Sequence, residues 1–376
     1  MGGDALLHGL EIATGLIVVM ATVGSVMRTL IVPRGLIRRI PVGLDNTVRR
    51  LVRFTADRFP SYESKDRLLS YEGPVRLVAG LGGWLLAAMA GYTLIFRPAV
   101  GSWAEALAHS GSAMFTLGFV SVQGTAPIAI SFFAAATGAI LIALQISYLP
   151  TLYGAFNRRE TLVTMLSSRA GAPPWGPELL ARQQLIGNLD DLERFYGDWE
   201  TWAADVAESH ANYPVLLAFR SPHPMRSWLI ALLAVLDSAA LYLAVAPRAA
   251  PPVARVTLRM GYTCLREIAT VLRIPFNDDP LPEDPVVLTL DEFRAGVATL
   301  ESVDFPLERN ADDVWQDFRG WRVNYEGLVL ELANRLAAPP ALWSGERRRL
   351  AGLQFAPERP PHRHPIDPLV HPHGPH

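Results

Sequence analysis

Four stretches of this 376-residue chain carry residue types that could do chemistry. Glu208-Ser209-His210 has the members of a nucleophilic triad. Consecutive residues on a helix do not face one another, so no triad is expected there. Residues 277–285 (NDDPLPEDP) hold four acids without the Asp-x-Asp-x-Asp-Gly spacing of a calcium loop and read as a solvated linker. Residues 362–376 carry five of the nine histidines among prolines, the pattern of a disordered tail in which metal binding is adventitious. The fourth stretch is Thr116-Leu117-Gly118-Phe119, inside a run of 52 residues, 106–157, without one Asp, Glu, Lys or Arg. Non-helical backbone in so uncharged a setting is tolerated only where it is buried in protein or lines a water-filled path. No G-x-S-x-G, H-E-x-x-H, C-x-x-C or P-loop occurs, and no enzyme is expected.

The elements that must position this segment follow from composition. The chain is 50% hydrophobic and only 19% charged, against about 25% charged in soluble domains. That excludes an ordinary soluble enzyme and points to membrane spans. A net charge of −2 gives no reason to expect nucleic acid, and the single Cys264 excludes an intrachain disulfide framework. Three segments have the length of a spanning helix: 10–32, 77–96 and 126–150. Asp4 and Glu11 leave the N-terminus without the basic region of a cleaved signal, so the first span is expected to be retained.

Orientation follows from the basic residues. From Arg28 to Arg76 there are ten Arg and one Lys against five acids, whereas no base lies between Arg97 and Arg158. The first loop is therefore expected inside, the 98–125 segment outside, the N-terminus outside and the C-terminal half inside. In the inner loop, Leu44, Val48, Leu51, Thr55 and Phe59 recur at helical spacing with Arg49, Arg50, Arg53 and Arg58 on other faces. This fits either a basic amphipathic helix on the anionic leaflet or a helix packed on the cytoplasmic domain. Between the second and third spans, residues 103–115 form a short helix, with Ser102 as N-cap and Glu105 completing a capping box.

Helix, short re-entrant helix, Thr-Leu-Gly-Phe, then a second helix resembles the pore unit of potassium channels, whose filter reads Thr-Val-Gly-Tyr-Gly-Asp or similar. Further stretches are similar to a bacterial group of potassium-channel-family proteins: RTLIVPR at 28–34, SYLPTLYGAFNRRE at 147–160, RAGAPP at 169–174, and ESHANYPVL at 208–216 leading to Ser227-Trp-Leu. The resemblance implies a homotetramer whose backbone carbonyls at Thr116, Leu117, Gly118, Phe119 and Val120 replace a cation's hydration shell. It also implies a gating hinge at Gly138, 20 residues past Gly118. Gln145 and Ser147 are pore-lining candidates, since polar groups facing lipid are costly. The departure from the family is Val120-Ser121 in place of Gly-Asp. A β-branched residue resists positive φ, and the bracing carboxylate is gone.

Beyond Arg158, charge returns and helical spacing dominates. Leu185, Leu189, Leu192, Tyr196, Trp199, Ala203 and Val206 follow a 4-3 spacing that fits a coiled-coil stem or one face of a compact bundle. Residues 228–246 imitate a fourth span, but the central Asp237 argues for a buried helix instead. The expected fold class is an all-α membrane protein with three transmembrane helices, a re-entrant pore helix and filter between the second and third, and an α-helical cytoplasmic domain. Its parts are a first span (1–33), a basic amphipathic linker (34–73), a pore domain (74–158), a cytoplasmic helical domain (159–360) and a tail (361–376). The expected function is a tetrameric monovalent-cation channel of the inner (plasma) membrane, gated by the cytoplasmic domain through an unknown ligand. Its partners are the lipid bilayer and its own copies, and no cofactor beyond the permeant K⁺ is expected. Alternatives are a non-selective or Na⁺-preferring channel and a non-conducting receptor or scaffold.

Overall fold

Apolar runs without charge have one way to satisfy their backbone locally, the helix, and helix dominates. The computed structural model describes residues 2–31, 42–121 and 123–345. It is 75% helix, with no strand among the described residues. Contacts divide the chain into two units, Met1–Arg58 with Leu68–Gly154, and Phe59–Arg67 with Ala155–His376. The expected linker over 34–73 is thus shared between the units, and the expected tail lies outside the described residues.

The first unit contains α1 (Gly2–Val26) followed by a π-helical turn (Met27–Ile31), α2 (Val42–Ala56), α4 (Glu72–Val100), α5 (Trp103–Met114) and the first part of α6 (Thr125–Ala170). The short α3 (Tyr62–Leu69) lies mostly in the second unit. Glycines set the approach of α1 to α4. A Cβ on Gly15 would lie 2.6 Å from the Gly91 carbonyl oxygen, and one on Gly91 would lie 3.0 Å from that of Gly15. Small residues let apolar helices approach this closely when no water is released to drive them together. Gly91 is thus a packing glycine, whereas Gly80 and Gly82 have open space where a Cβ would sit. Polar clips fix the register: Trp84 Nε1 donates to Ser25 Oγ at 3.2 Å, Ser110 Oγ to the Met89 carbonyl at 2.9 Å, and the Tyr92 and Thr137 hydroxyls pair at 2.8 Å.

The second unit is built around α9 (Trp228–Val245), every residue of which is buried. Around it stand α7 (Gly176–Leu185), α8 (Leu192–Asn212), α10 (Val253–Leu272), α12 (Ala311–Arg322) and α13 (Glu326–Arg335), with α11 (Leu290–Glu301) packed on α7 and α12. Asp237 survives in this core because it is paired. It accepts from Arg322 and from the Tyr325 hydroxyl at 2.8 Å, while Arg322 Nε also donates to Glu326 at 2.8 Å. Glu326 in turn accepts from the Leu288 amide at 3.0 Å. Burial pushes the Asp237 carboxyl up to about 6, with Arg322 and Tyr325 drawing it back.

The 4-3 stripe expected from Leu185 to Val206 is broken. α7 ends at Leu185, Gly187 takes φ +65°, and α8 starts at Leu192. From Leu192 onward the stripe is buried and α8 packs along α10. Bulky Phe195, Trp199 and Trp202 are buried too, the bundle alternative and not a narrow seam. Segment 59–67 belongs to this unit through Arg220, which donates to Tyr62 Oη at 2.7 Å, the Leu336 carbonyl at 2.7 Å and the Asp66 carboxylate.

Candidate functional site

Residues 116–121 leave α5 at its carbonyl end. Ser102 caps the other end, its Oγ accepting from the Glu105 amide at 3.2 Å, but only this half of the expected capping box forms. Thr289 and Glu292 make both halves at α11. At the carbonyl end the amides of Phe115, Thr116 and Leu117 return to Gly111, Ala113 and Ser112 at 3.0, 3.0 and 2.9 Å. The last two bonds form a Schellman closure, whose left-handed residue is usually glycine. Here it is Thr116, at φ +53°. A β-branched side chain in that region is strained, and such strain concentrates at functional sites. Its hydroxyl turns back onto the Phe115 carbonyl at 2.8 Å.

Gly118 takes φ +68°, a conformation that favours glycine. Leu117 and Phe119 are each 64% exposed, and Thr116 and Gly118 are exposed as well. A 116–119 segment of apolar side chains standing open is unlike a soluble loop. Val120 does not adopt positive φ, which β-branching disfavours. Its amide meets the buried Ser112 Oγ at 3.4 Å, a long bond from this segment back to α5.

Gly138 sits where α5 meets α6. A Cβ there would lie 2.1 Å from the Met114 carbonyl oxygen and 3.2 Å from its Cα. The glycine is required by this close approach, the packing role open to such a residue. Within the first unit, the buried positions of α6 are Ala134, Gly138, Leu141, Gln145, Tyr148 and Leu152, one stripe at 4-3 spacing. Most of the remaining positions face outward, among them the apolar Ile128, Phe132, Phe133, Ile140 and Ile146. Gln145 lies on the packed stripe, with its Oε1 buried and without a hydrogen-bond partner among the described residues, whereas Ser147 is exposed. Two residues on a helix are separated by about 200°, so the two candidates do not share a face.

A second cluster was not anticipated from the sequence. Arg159 on α6, wholly buried, donates Nη1 to the Leu216 carbonyl at 3.0 Å and Nη2 to the Phe219 carbonyl at 2.8 Å. Its Nη1 also stands 3.0 Å from His210 Nε2, and its Nε donates to Glu160 at 2.9 Å. Arginine has no acceptor, so Nε2 must be unprotonated and Nδ1, 3.1 Å from Ser209 Oγ, carries the proton. Burial, then the Arg159 charge, hold the imidazole well below its ordinary pKa of 6.5. Trp228 lies beside both, its ring 5.4 Å from His210 and 5.7 Å from the guanidinium. The stretches 147–160, 208–216 and 227–229 thus converge on one arginine. The only advance signal was a basic pair following an uncharged run.

Among the described residues, no group of three or more His, Cys, Asp or Glu is placed to hold a metal ion. Four helices among the described residues are long and apolar enough to cross a membrane: Gly3–Leu30, Tyr62–Val100, Thr125–Ala170 and Trp228–Val245. No family model, curated protein or solved structure matches this chain.

Proposed function

We propose that four copies of this chain form a passive cation channel of the potassium-channel family, conducting through carbonyls of Thr116, Leu117, Gly118, Phe119 and Val120. The observation that carries this reading is the exit from α5, where a strained left-handed threonine closes the helix and releases a short, exposed, non-helical segment into an uncharged stretch. The partial negative charge at that helix end favours a cation beyond it, and carbonyl rings can stand in for its water. One segment per chain cannot enclose an axis, whereas closed fourfold symmetry does. Neighbouring copies would then cover Leu117 and Phe119.

In this reading α1, α4 and the first part of α6 span the membrane. The N-terminus lies outside, and the arginine-rich loop and second unit lie in the cytoplasm of a cell whose inner membrane holds the channel. α9 stays out of the bilayer because all its faces are buried in protein. Ser147 lines the cavity, and a bend at Gly138 would move the seat of the Met114 carbonyl, linking the gate to the filter. The cytoplasmic unit, with its own ligand, controls that bend.

Val120 favours a less selective pore as a second reading. Its backbone withholds the positive φ that glycine would give, and Ser112 braces it where an aspartate would serve. Native mass measurement of the purified protein should give four copies, and a monomer or dimer would overturn the proposal. Replacing Val120→Gly with Ser121→Asp should raise the K⁺/Na⁺ permeability ratio, and an unchanged ratio would sink the second reading.

A further inference from the structure

α2 is the arginine-bearing element that the conduction proposal leaves without a task. One side is held by protein: Ala56 is fully buried, Val48 and Val52 are half-buried, and the helix packs on α4. The opposite side is open and apolar at its centre, with Leu51 63% and Phe54 62% exposed. Arg50 and Arg58 flank these two and are themselves exposed. Arg58 lays its guanidinium over the Phe54 ring at 3.6 Å and spends one N–H on the Phe54 carbonyl at 2.7 Å. Its other donors, and all those of Arg50, have no partner among the described residues. From Arg49 to Arg58 the chain carries four arginines and one acid, Asp57.

Large apolar side chains facing water are unfavourable, while the exposed guanidiniums beside them keep their charge hydrated. This arrangement suits the boundary between lipid headgroups and acyl chains. The helix also lies in sequence between two apolar helices long enough to cross a membrane. We infer that the Leu51–Phe54 side of α2 lies in the interfacial layer of the bilayer, with Arg50 and Arg58 binding the phosphates of anionic lipids. The occupant is lipid and not protein because the flanking charge is basic, the centre is apolar, and α2 belongs to a unit whose other helices expose Leu16, Met20, Val78 and Leu86. The inference rests on the membrane character of the first unit and is independent of ion conduction.

Cys264 is buried, so a nitroxide attached to Leu51→Cys or Phe54→Cys in the full-length protein reports this face alone. In nanodiscs of phosphatidylcholine containing phosphatidylglycerol, collisions with oxygen should dominate over those with a water-soluble nickel chelate. Each of Arg50→Ser and Arg58→Ser should raise the phosphatidylglycerol fraction needed for half of this effect by about fivefold. A label open to the nickel chelate in every lipid mixture would overturn the inference. So would a label immobilised and shielded from both relaxants, which would mean that protein covers the face. Gel filtration of the arginine variants separates misfolding from lost lipid contact.

Discussion

α6 and α9 are equally apolar over their most hydrophobic eighteen residues, yet 17% of that window is buried in α6 and 100% in α9. Hydropathy measures the need to leave water, not the destination. α9 leaves water by entering a protein core, and its one charge is matched there by Arg322, which Glu326 and the Trp343 carbonyl hold in place. α6 buries a single stripe in the first unit and presents its other faces, rich in Phe and Ile, to whatever surrounds it. The polar atoms point the same way. Those at the centre of α9 are answered by designated partners, whereas Gln145 Oε1 on α6 is answered by none among the described residues.

Breaking the α9 pairing should have the largest effect. Arg322→Met leaves the Asp237 and Glu326 carboxyls buried without their cation, a loss of about 3–5 kcal/mol. Denaturant unfolding followed by tryptophan fluorescence reads this, since seven of the nine tryptophans lie in the second unit. A neutral result would mean that α9 is not a paired core helix. On α6, Gly138→Ala pushes a methyl group into the Met114 carbonyl and should cost about 1–3 kcal/mol, read as a lower thermal stability of the detergent-solubilised assembly. An unchanged midpoint would remove the close approach from the account.

His210 should also weaken the second unit in acid, against the raised Asp237 carboxyl, which takes up its proton at a higher pH in the folded state and acts in the opposite sense. Below about pH 6.5 the unfolded chain protonates His210 while the folded chain resists, so the stabilisation is present above that pH and lost as pH falls. The slope is at most about 1.4 kcal/mol per pH unit. His210→Gln keeps an acceptor for Arg159 and should flatten that slope in the same unfolding measurement. The smallest effect expected is a gain. Thr116→Gly relieves the left-handed strain and should stabilise the first unit by about 1 kcal/mol, seen as a raised melting midpoint.

The sequence reveals more of the elements than of their meetings. Ser102 announced α5, and Asp237 marked α9 as a core helix, because caps and central charges act within a few residues. The break after Leu185 was hidden, since heptad spacing continued through a three-residue turn that Gly187 makes possible. Gly138 was noticed as a glycine, but its neighbour is a carbonyl 24 residues earlier, and no local pattern encodes that distance. The left-handed turn at Thr116 was missed because threonine is a poor choice for it, and Arg159 because its partners His210, Leu216 and Phe219 lie far along the chain.

The central claim is that residues 116–120 conduct. Purified protein in liposomes, loaded for K⁺ and Na⁺ flux and set against a variant with residues 116–119 scrambled, tests it directly. Cation flux that disappears in the variant is the predicted result. Flux that persists undiminished after scrambling would contradict it.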